Sequence, residues 1–306
     1  MKDISVLILA AGKGTRMKTD TLKCLTMFHY KPMLFYVLNT LNRMNIKDIG
    51  VIVGHKKEEI KKYIKTKVTY IYQKEQLGTA HAVESAEMFY KEKKNNIIII
   101  PSDIPLINSD ILNKLITYHN ESLNDLTIVS NIVDNPFGYG RILRNKESEV
   151  ISIVEEKDAD ENQKKIKEVN TGIYIIKEEV LRKNIKLIEN NNSKKEYYFT
   201  DIVEILYKNN YKVNTLSFYN NIYLTGVNDL ESLIKLENKY QLLINNKWIN
   251  SGVHLIKPES IIIEDTVEIE EGVIIDSFSI IKGKTKIKKG TYIKPYTYII
   301  NNKLID

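Results

Sequence analysis

Two rhythms of apolar residues divide the 306-residue chain. Through the first part, short unbroken apolar runs alternate with stretches at helical spacing. Ile4 to Leu9 and Ile49 to Val53 read as buried strands, and Val68 to Tyr72 and Ile97 to Ile100 as further strands. Met33 to Met44, Glu58 to Ile64 and the stretch opened by Gln76-Leu77-Gly78-Thr79-Ala80-His81 read as helices. Strands alternating with helices predict a parallel, doubly wound α/β sheet of Rossmann-like type, with ligands beyond the carboxyl ends of its strands. That expectation puts the turn after Leu9 and the Ser102-Asp103 pair on one rim. From about residue 126 to 225 the pattern turns β-rich, with strands over Thr127 to Val133, Ile151 to Glu155 and Thr171 to Ile176, and a helix from Ile202 to Tyr207.

The second rhythm has a period of six. Ile263, Ile269, Ile275, Ile281, Ile287, Ile293 and Ile299 recur without a miss. Four places after the first six of these stand Val267, Val273, Ser279, Thr285, Thr291 and Thr297, all small or β-branched. This predicts a hexapeptide parallel β-helix. An antiparallel meander alternates every two residues and would not single out every sixth. Coils of this kind are left-handed, against the usual crossover rule, and three hexads to a coil leave little more than two coils here. Before the repeat, Asn228 or Asp229 can cap a helix whose apolar stripe runs through Leu230, Leu233, Ile234, Leu243 and Ile244. The expected organisation is a domain over 1–228, a linker helix over 229–250 and a short β-helix over 251–306.

Composition narrows the class. Apolar residues make up 43% and charged residues 27%, as in a soluble globular protein, and the formal net charge of +6 suits an anionic small substrate. The lysines are spread out and mixed with glutamate, as in Lys57, Glu58, Glu59 and Lys61, which argues for solvated helix faces and against a nucleic-acid surface. Cys24 is the single cysteine, so an internal disulfide is impossible and a reducing, cytoplasmic setting is expected. A small core-filling role suits it better than a reactive thiol. The apolar run at Ile97 to Ile100 is far too short to span a bilayer, and the chain opens on a strand without a signal-peptide pattern.

Candidate chemistry centres on ISVLILAAGKGTRMKTDTLKCL, residues 4–25. A strand running into Ala10-Ala11-Gly12-Lys13-Gly14-Thr15 lets backbone N–H groups approach a phosphate without Cβ in the way. Met17 stands where a dinucleotide fingerprint has its third glycine, and the spacing is not that of a Walker loop. By general rules alone, phosphate binding and an ordinary strand-turn are comparably good readings. Asp103, past a strand end, could serve as a lone carboxylate for Mg²⁺ or simply form a turn before Pro105.

The string L-A-A-G-x-G-T-R-M, with a lysine seven residues beyond the arginine, resembles the signature of sugar-nucleotide pyrophosphorylases. Further on, N-P-F-G-Y-G-R-I, I-V-E-E-K-D-A and E-V-N-T-G-I-Y are similar to the bacterial N-acetylglucosamine-1-phosphate uridyltransferases, usually fused to a glucosamine-1-phosphate acetyltransferase. The resemblance implies a nucleotidyltransferase domain that couples UTP to N-acetylglucosamine 1-phosphate with Mg²⁺. It implies catalytic cations Arg16 and Lys23, a nucleotide site of Leu9, Ala10, Ala11, Gly12, Gly14, Thr15, Gln73, Gly78 and Thr79, and metal ligands Asp103 and Asn228. The sugar would fall to Gly140, Glu155 and Asn170, with Tyr198 and Thr200 helping to fix it.

Two departures stand out: Leu22 replaces the family's proline before the lysine, and Ser102 replaces its glycine before the aspartate. The tail matches only the opening of the family's β-helix, so acetyl transfer is not expected. Another sugar 1-phosphate (of glucose or N-acetylgalactosamine) and a non-catalytic nucleotide-sugar binder are the alternative readings, and a trimer through the coil is compatible with each. The reaction needs no general base, and His29, His55, His81, His119 and His254 are read as structural or exposed.

Overall fold

The structure is a computed structural model that describes every residue except 1–3, 13, 15, 16, 18–20, 55, 56, 92, 94 and 306. It forms two compact units, residues 1–228 and 229–306.

The first unit opens with β1 (Ile4–Leu9), a small hairpin of β2 (Met27–Phe28) and β3 (Lys31–Pro32), then α1 (Met33–Arg43), β4 (Ile49–Val53), α2 (Lys57–Tyr63) and β5 (Thr69–Tyr72). It continues through α3 (Thr79–Glu84), α4 (Glu87–Tyr90), β6 (Asn96–Pro101), α5 (Ser109–Glu121) and β7 (Leu126–Ile132). It closes with β8 (Arg141–Arg144), β9 (Val150–Val154), β10 (Glu168–Lys177), α6 (Glu178–Asn184), α7 (Ile202–Lys208) and β11 (Val213–Tyr219).

These strands form one sheet in the order β11-β7-β10-β6-β1-β4-β5, with β8 and β9 joined to β10. Both faces are covered, which is why the central strands read as continuous apolar runs rather than alternating ones. Val6, Ile8, Ile98 and Ile100 pack with Leu34, Val37 and Leu38 of α1 and Leu112 and Leu115 of α5. Leu7, Ile97 and Ile99 point the other way, into a core with Val83 of α3, Leu181 of α6 and Val203 and Leu206 of α7.

The sheet is mixed rather than wholly parallel. β1, β4, β5 and β6 run together, but β10 runs antiparallel to both β6 and β7. The reason is local: a parallel return needs a crossover of a dozen residues or more, usually a helix, and no α-helix separates β7 from β10. β10 also breaks register between Asn170 and Tyr174. Because β1, β5 and β6 share a direction, the residues following them collect at one edge.

In the second unit, Asp229 caps α8 (Leu230–Asn250), its side chain accepting from Ser232 N–H while Ser232 answers with a bond to the cap backbone. Leu233, Leu236, Ile244 and Trp248 are buried on α8, and Ile244 and Trp248 belong to the core that Tyr240 also packs against. The predicted stripe is therefore corrected: Leu230, Ile234 and Leu243 are exposed, Ile234 and Leu243 because they fall on either side of a face that advances by three and four residues, and Leu230 although it shares that face, as the first residue of the helix.

After α8 come the short strands β12 (His254–Leu255), β13 (Ile262–Ile263), β14 (Glu268–Ile269), β15 (Ile274–Ile275), β16 (Ile280–Lys282), β17 (Lys286–Ile287), β18 (Tyr292–Ile293), β19 (Tyr298–Ile300) and β20 (Lys303–Leu304). Ile263 pairs in parallel with Ile281 and Ile281 with Ile299, Ile269 with Ile287, and Ile275 with Ile293. Each isoleucine thus stacks on the one three hexads later, giving the three-sided coil expected of a β-helix. The small residues at the fourth place are explained too. Hydroxyls of Ser279, Thr285, Thr291 and Thr297 donate to the carbonyl three residues back, at 2.5 to 2.8 Å. One face carries a ladder of ion pairs, Glu268–Lys286, Glu270–Lys288 and Glu271–Lys289. Among the described residues no helix is long and apolar enough to cross a membrane.

Candidate active site

The carboxyl end of β1 is stitched to its neighbours before the turn begins. Ala10 N–H donates to Ile52 O and Ser102 N–H to Leu9 O. The chain then turns at Gly14, whose φ of +64° suits glycine and where a Cβ would stand 2.7 Å from the Lys23 Cβ. A side chain there would push Lys23 off its place. Met17, in the slot of a third glycine, is fully buried, its N–H donating to Gly14 O. Lys23 opens a single 3-10 turn, anchored by buried Cys24 and Leu25. Burial pushes the Cys24 thiol up to about 12, so it stays protonated and serves the core. Lys13, Thr15 and Arg16 lie outside the described residues.

Lys23 reaches across to both predicted metal ligands. Its Nζ donates to the Asp103 carboxylate and to Asn228 Oδ1 at 3.3 Å. Asp103 and Asn228 are 125 positions apart, and the backbone explains how they meet: Val227 N–H donates to Asp103 O at 2.9 Å. Burial pushes the Tyr139 phenol upward, and the backbone of Gly226, in the same segment, opposes that shift. No group of three or more His, Cys, Asp or Glu side chains suited to a metal occurs among the described residues. A metal here would have one carboxylate and one amide oxygen from the protein.

A cavity of about 530 Å³ adjoins this cluster, and its lining includes Leu9, Ala11, Gly12, Gly14, Lys23, Gln73, Gly78, Thr79 and Asp103. Ala10 is buried beneath the turn. Gln76, Glu196 and Ser102 also line the cavity. Sequence reasoning gave Gln76 and Glu196 no site role and noted Ser102 only as a departure from the family's glycine. Gly78 has φ +128°, and a Cβ there would meet Tyr197 O at 2.3 Å, so only glycine fits. The reason for the close approach is a clamp of main-chain bonds. Tyr197 N–H donates to Leu77 O and Ala80 N–H to Tyr197 O, while Phe199 N–H donates to Thr79 Oγ1 at 2.9 Å. Gln73 Nε2 donates to Gly78 O at 3.2 Å and lies 3.0 Å from His81 Nδ1.

The predicted sugar residues form a second cluster, joined to the first by the 196–200 segment. Thr200 Oγ1 donates to Glu155 Oε1 at 3.3 Å, and Asn170 N–H to Gly140 O at 2.8 Å. Burial holds the Glu155 carboxyl above the usual carboxylate range. Asn170 is tied inside the protein, its Nδ2 donating to Tyr174 OH at 2.6 Å and its Oδ1 accepting from Gly172 N–H. Tyr198 is buried, with the Lys194 ammonium 5.9 Å from its ring centre. The 135–141 segment, with Gly138 and Gly140, is held by Arg141, a buried cation paired with Glu156 Oε2 at 2.7 Å, the same oxygen that accepts from Gly138 N–H.

Comparison with known proteins agrees with this architecture. Residues 5–248 match the nucleotidyl transferase family. The bifunctional protein GlmU of Acholeplasma laidlawii is 41% identical over 85% of this chain and 56% of its own length. Its namesake in Thermosipho africanus is 44% identical over 86% and 56%, and that of Streptococcus mutans 40% over 85% and 57%. The chain thus spans little more than half the length of these relatives. A solved Bacillus anthracis structure, named for glucose-1-phosphate thymidylyltransferase activity, superposes with a TM-score of 0.61, covering 76% of this chain and 94% of that one. At 21% identity it speaks for the fold alone. With the family match running from β1 into α8, the chain belongs to the nucleotidyl transferase family.

Proposed function

We propose that this chain transfers a uridylyl group from UTP to N-acetylglucosamine 1-phosphate, giving UDP-N-acetylglucosamine and pyrophosphate. The observation that carries this reading is the meeting of Lys23, Asp103 and Asn228 beside the glycine turn and Gln73. An oxygen of the sugar phosphate attacks the α-phosphorus of UTP. A new P–O bond forms, the bond from that phosphorus to the bridging oxygen breaks, and pyrophosphate leaves with the electron pair. No proton transfer is required, so the protein's task is to align two anions that repel each other and to oppose the charge of the transition state.

Lys23 and Arg16 supply positive charge at the phosphates, and the backbone at Gly12 and Gly14 lets them approach. Gln73, Gly78 and Thr79 take the uracil, while Gly140, Glu155, Asn170, Tyr198 and Thr200 take the sugar. Asp103 and Asn228 suit Mg²⁺, since both offer hard oxygens and already hold a cation between them in the form of the Lys23 ammonium. Bound there, Mg²⁺ would supply Lewis-acid stabilisation of phosphoryl oxygens.

Pyrophosphate release from UTP, N-acetylglucosamine 1-phosphate and Mg²⁺ tests the reading. Release that needs all three is expected, and none with the complete mixture would overturn it. Faster turnover of glucose or N-acetylgalactosamine 1-phosphate would reassign the sugar. UDP-sugar binding without release would make the chain a non-catalytic binder. We assign the transfer to residues 1–228, treat 229–250 as a linker helix, and take 251–306 to be a left-handed coil that assembles the protein as a trimer. The setting we propose is cytoplasmic.

A further inference from the structure

Gln73 is the one amide side chain assigned above to the base, and an amide reads a base only if its two ends are told apart. The hydrogen bonds around it decide which end is which. Gly78 O can only accept, so the Gln73 atom 3.2 Å from it must be the amide nitrogen. That nitrogen also lies 3.0 Å from His81 Nδ1. With one hydrogen given to Gly78 O, the other points at His81, and Nδ1 must offer a lone pair. Both amide hydrogens are then committed inside the protein. Gln73 Oε1 makes no hydrogen bond among the described residues. Gln73 lines the cavity, whereas His81 is not among the described lining residues.

We propose that His81 is a positioning residue for pyrimidine selection: by accepting from Gln73 Nε2 it locks the amide with Oε1 turned to the nucleotide. This rests on the uridine reading above. An acceptor at that place favours a base with an N–H donor, as uracil has at N3, and opposes cytosine, whose N3 carries a lone pair. Without His81 the amide can turn over and offer its NH₂ group, which suits cytosine instead. A turned amide would also set Oε1 against the Gly78 carbonyl, so Gly78 O opposes the turn as well, and His81 supplies the second of two locks on the shorter contact. The histidine itself is held on the first turn of α3 by the clamp between Leu77–Ala80 and Tyr197–Phe199.

The test is calorimetric titration of the full chain with UTP and with CTP, in Mg²⁺ and without sugar phosphate, so that nothing turns over. The wild type is expected to favour UTP by about tenfold or more. His81→Phe keeps a ring but no acceptor, and should bring the two affinities within about threefold, mainly through weaker UTP binding. His81→Asn returns an acceptor close to the Nδ1 position and should restore most of the preference, a rescue that a purely structural role would not produce. Undiminished preference in His81→Phe overturns the proposal while leaving the uridine reading intact. A wild type without UTP preference overturns both. Should His81→Phe fail to fold, nitrogen-15 NMR of the wild-type imidazole decides: an unprotonated Nδ1 supports the proposal, and a protonated Nδ1 near neutral pH refutes it.

Discussion

Lys23 binds the two oxygens proposed for Mg²⁺, so two proposed roles meet at one point. Replacing it with methionine removes a competing cation, so Lys23→Met should bind Mn²⁺ several-fold more tightly without nucleotide, read by electron paramagnetic resonance. The same variant should lose roughly 100-fold or more in turnover, as for other preorganised charges at a reacting centre. Gly78 admits no side chain, by both its φ and the Tyr197 backbone. Gly78→Ala should cost about 2 kcal/mol or more in chemical denaturation. His119 yields a pH prediction. Buried against Thr127 Oγ1, with its Nε2 unpartnered among the described residues, it is held by that burial well below the usual imidazole range, at about 4. Its folded pKa is depressed, so the unfolded chain binds the proton more readily. Stability is full above about pH 6.5 and falls as pH drops towards 4, by on the order of 2 kcal/mol. His119→Gln should flatten that part of the urea-midpoint profile between pH 6.5 and 4.

At the scale of elements, α8 and the coil show what periodicity reports and what it misses. The six-residue repeat was legible because every coil imposes the same inward position, and stacked isoleucines confirm it one by one. The stripe on α8 was misjudged at Leu230, Ile234 and Leu243, because an Ile- and Leu-rich helix offers several candidate faces and only the neighbour selects one. Asn245 was missed for the opposite reason. A polar residue reads as exposed, yet it is fully buried and its Nδ2 donates to Pro258 O at 2.7 Å and Ile261 O at 2.9 Å. Asn245→Leu should therefore destabilise the second unit by about 2 kcal/mol, since it strands two carbonyls. Leu243→Ser should stay within about 0.5 kcal/mol of wild type. Thermal unfolding of the two variants separates these outcomes.

Across the whole molecule, the candidate site draws on residues from Leu9 to Asn228, so a ligand that engages it ties distant segments together. Binding to the folded state alone adds stability by mass action, and UDP-N-acetylglucosamine at 100 times its Kd should contribute about 2.7 kcal/mol. A thermal shift of that order is the expected result. What the sequence determined by itself was whatever local geometry imposes: covered strands as apolar runs, the glycine turn after β1, and an inward isoleucine at every sixth place. The tertiary structure alone decided that β10 runs antiparallel, that Val227 N–H brings Asn228 to Asp103, and that Gly78 O and His81 orient the Gln73 amide. The physical reason is that periodicity records burial and backbone shape, which neighbours along the chain control. The choice of a hydrogen-bond partner depends on which atoms the folded chain brings within 3 Å or so of each other.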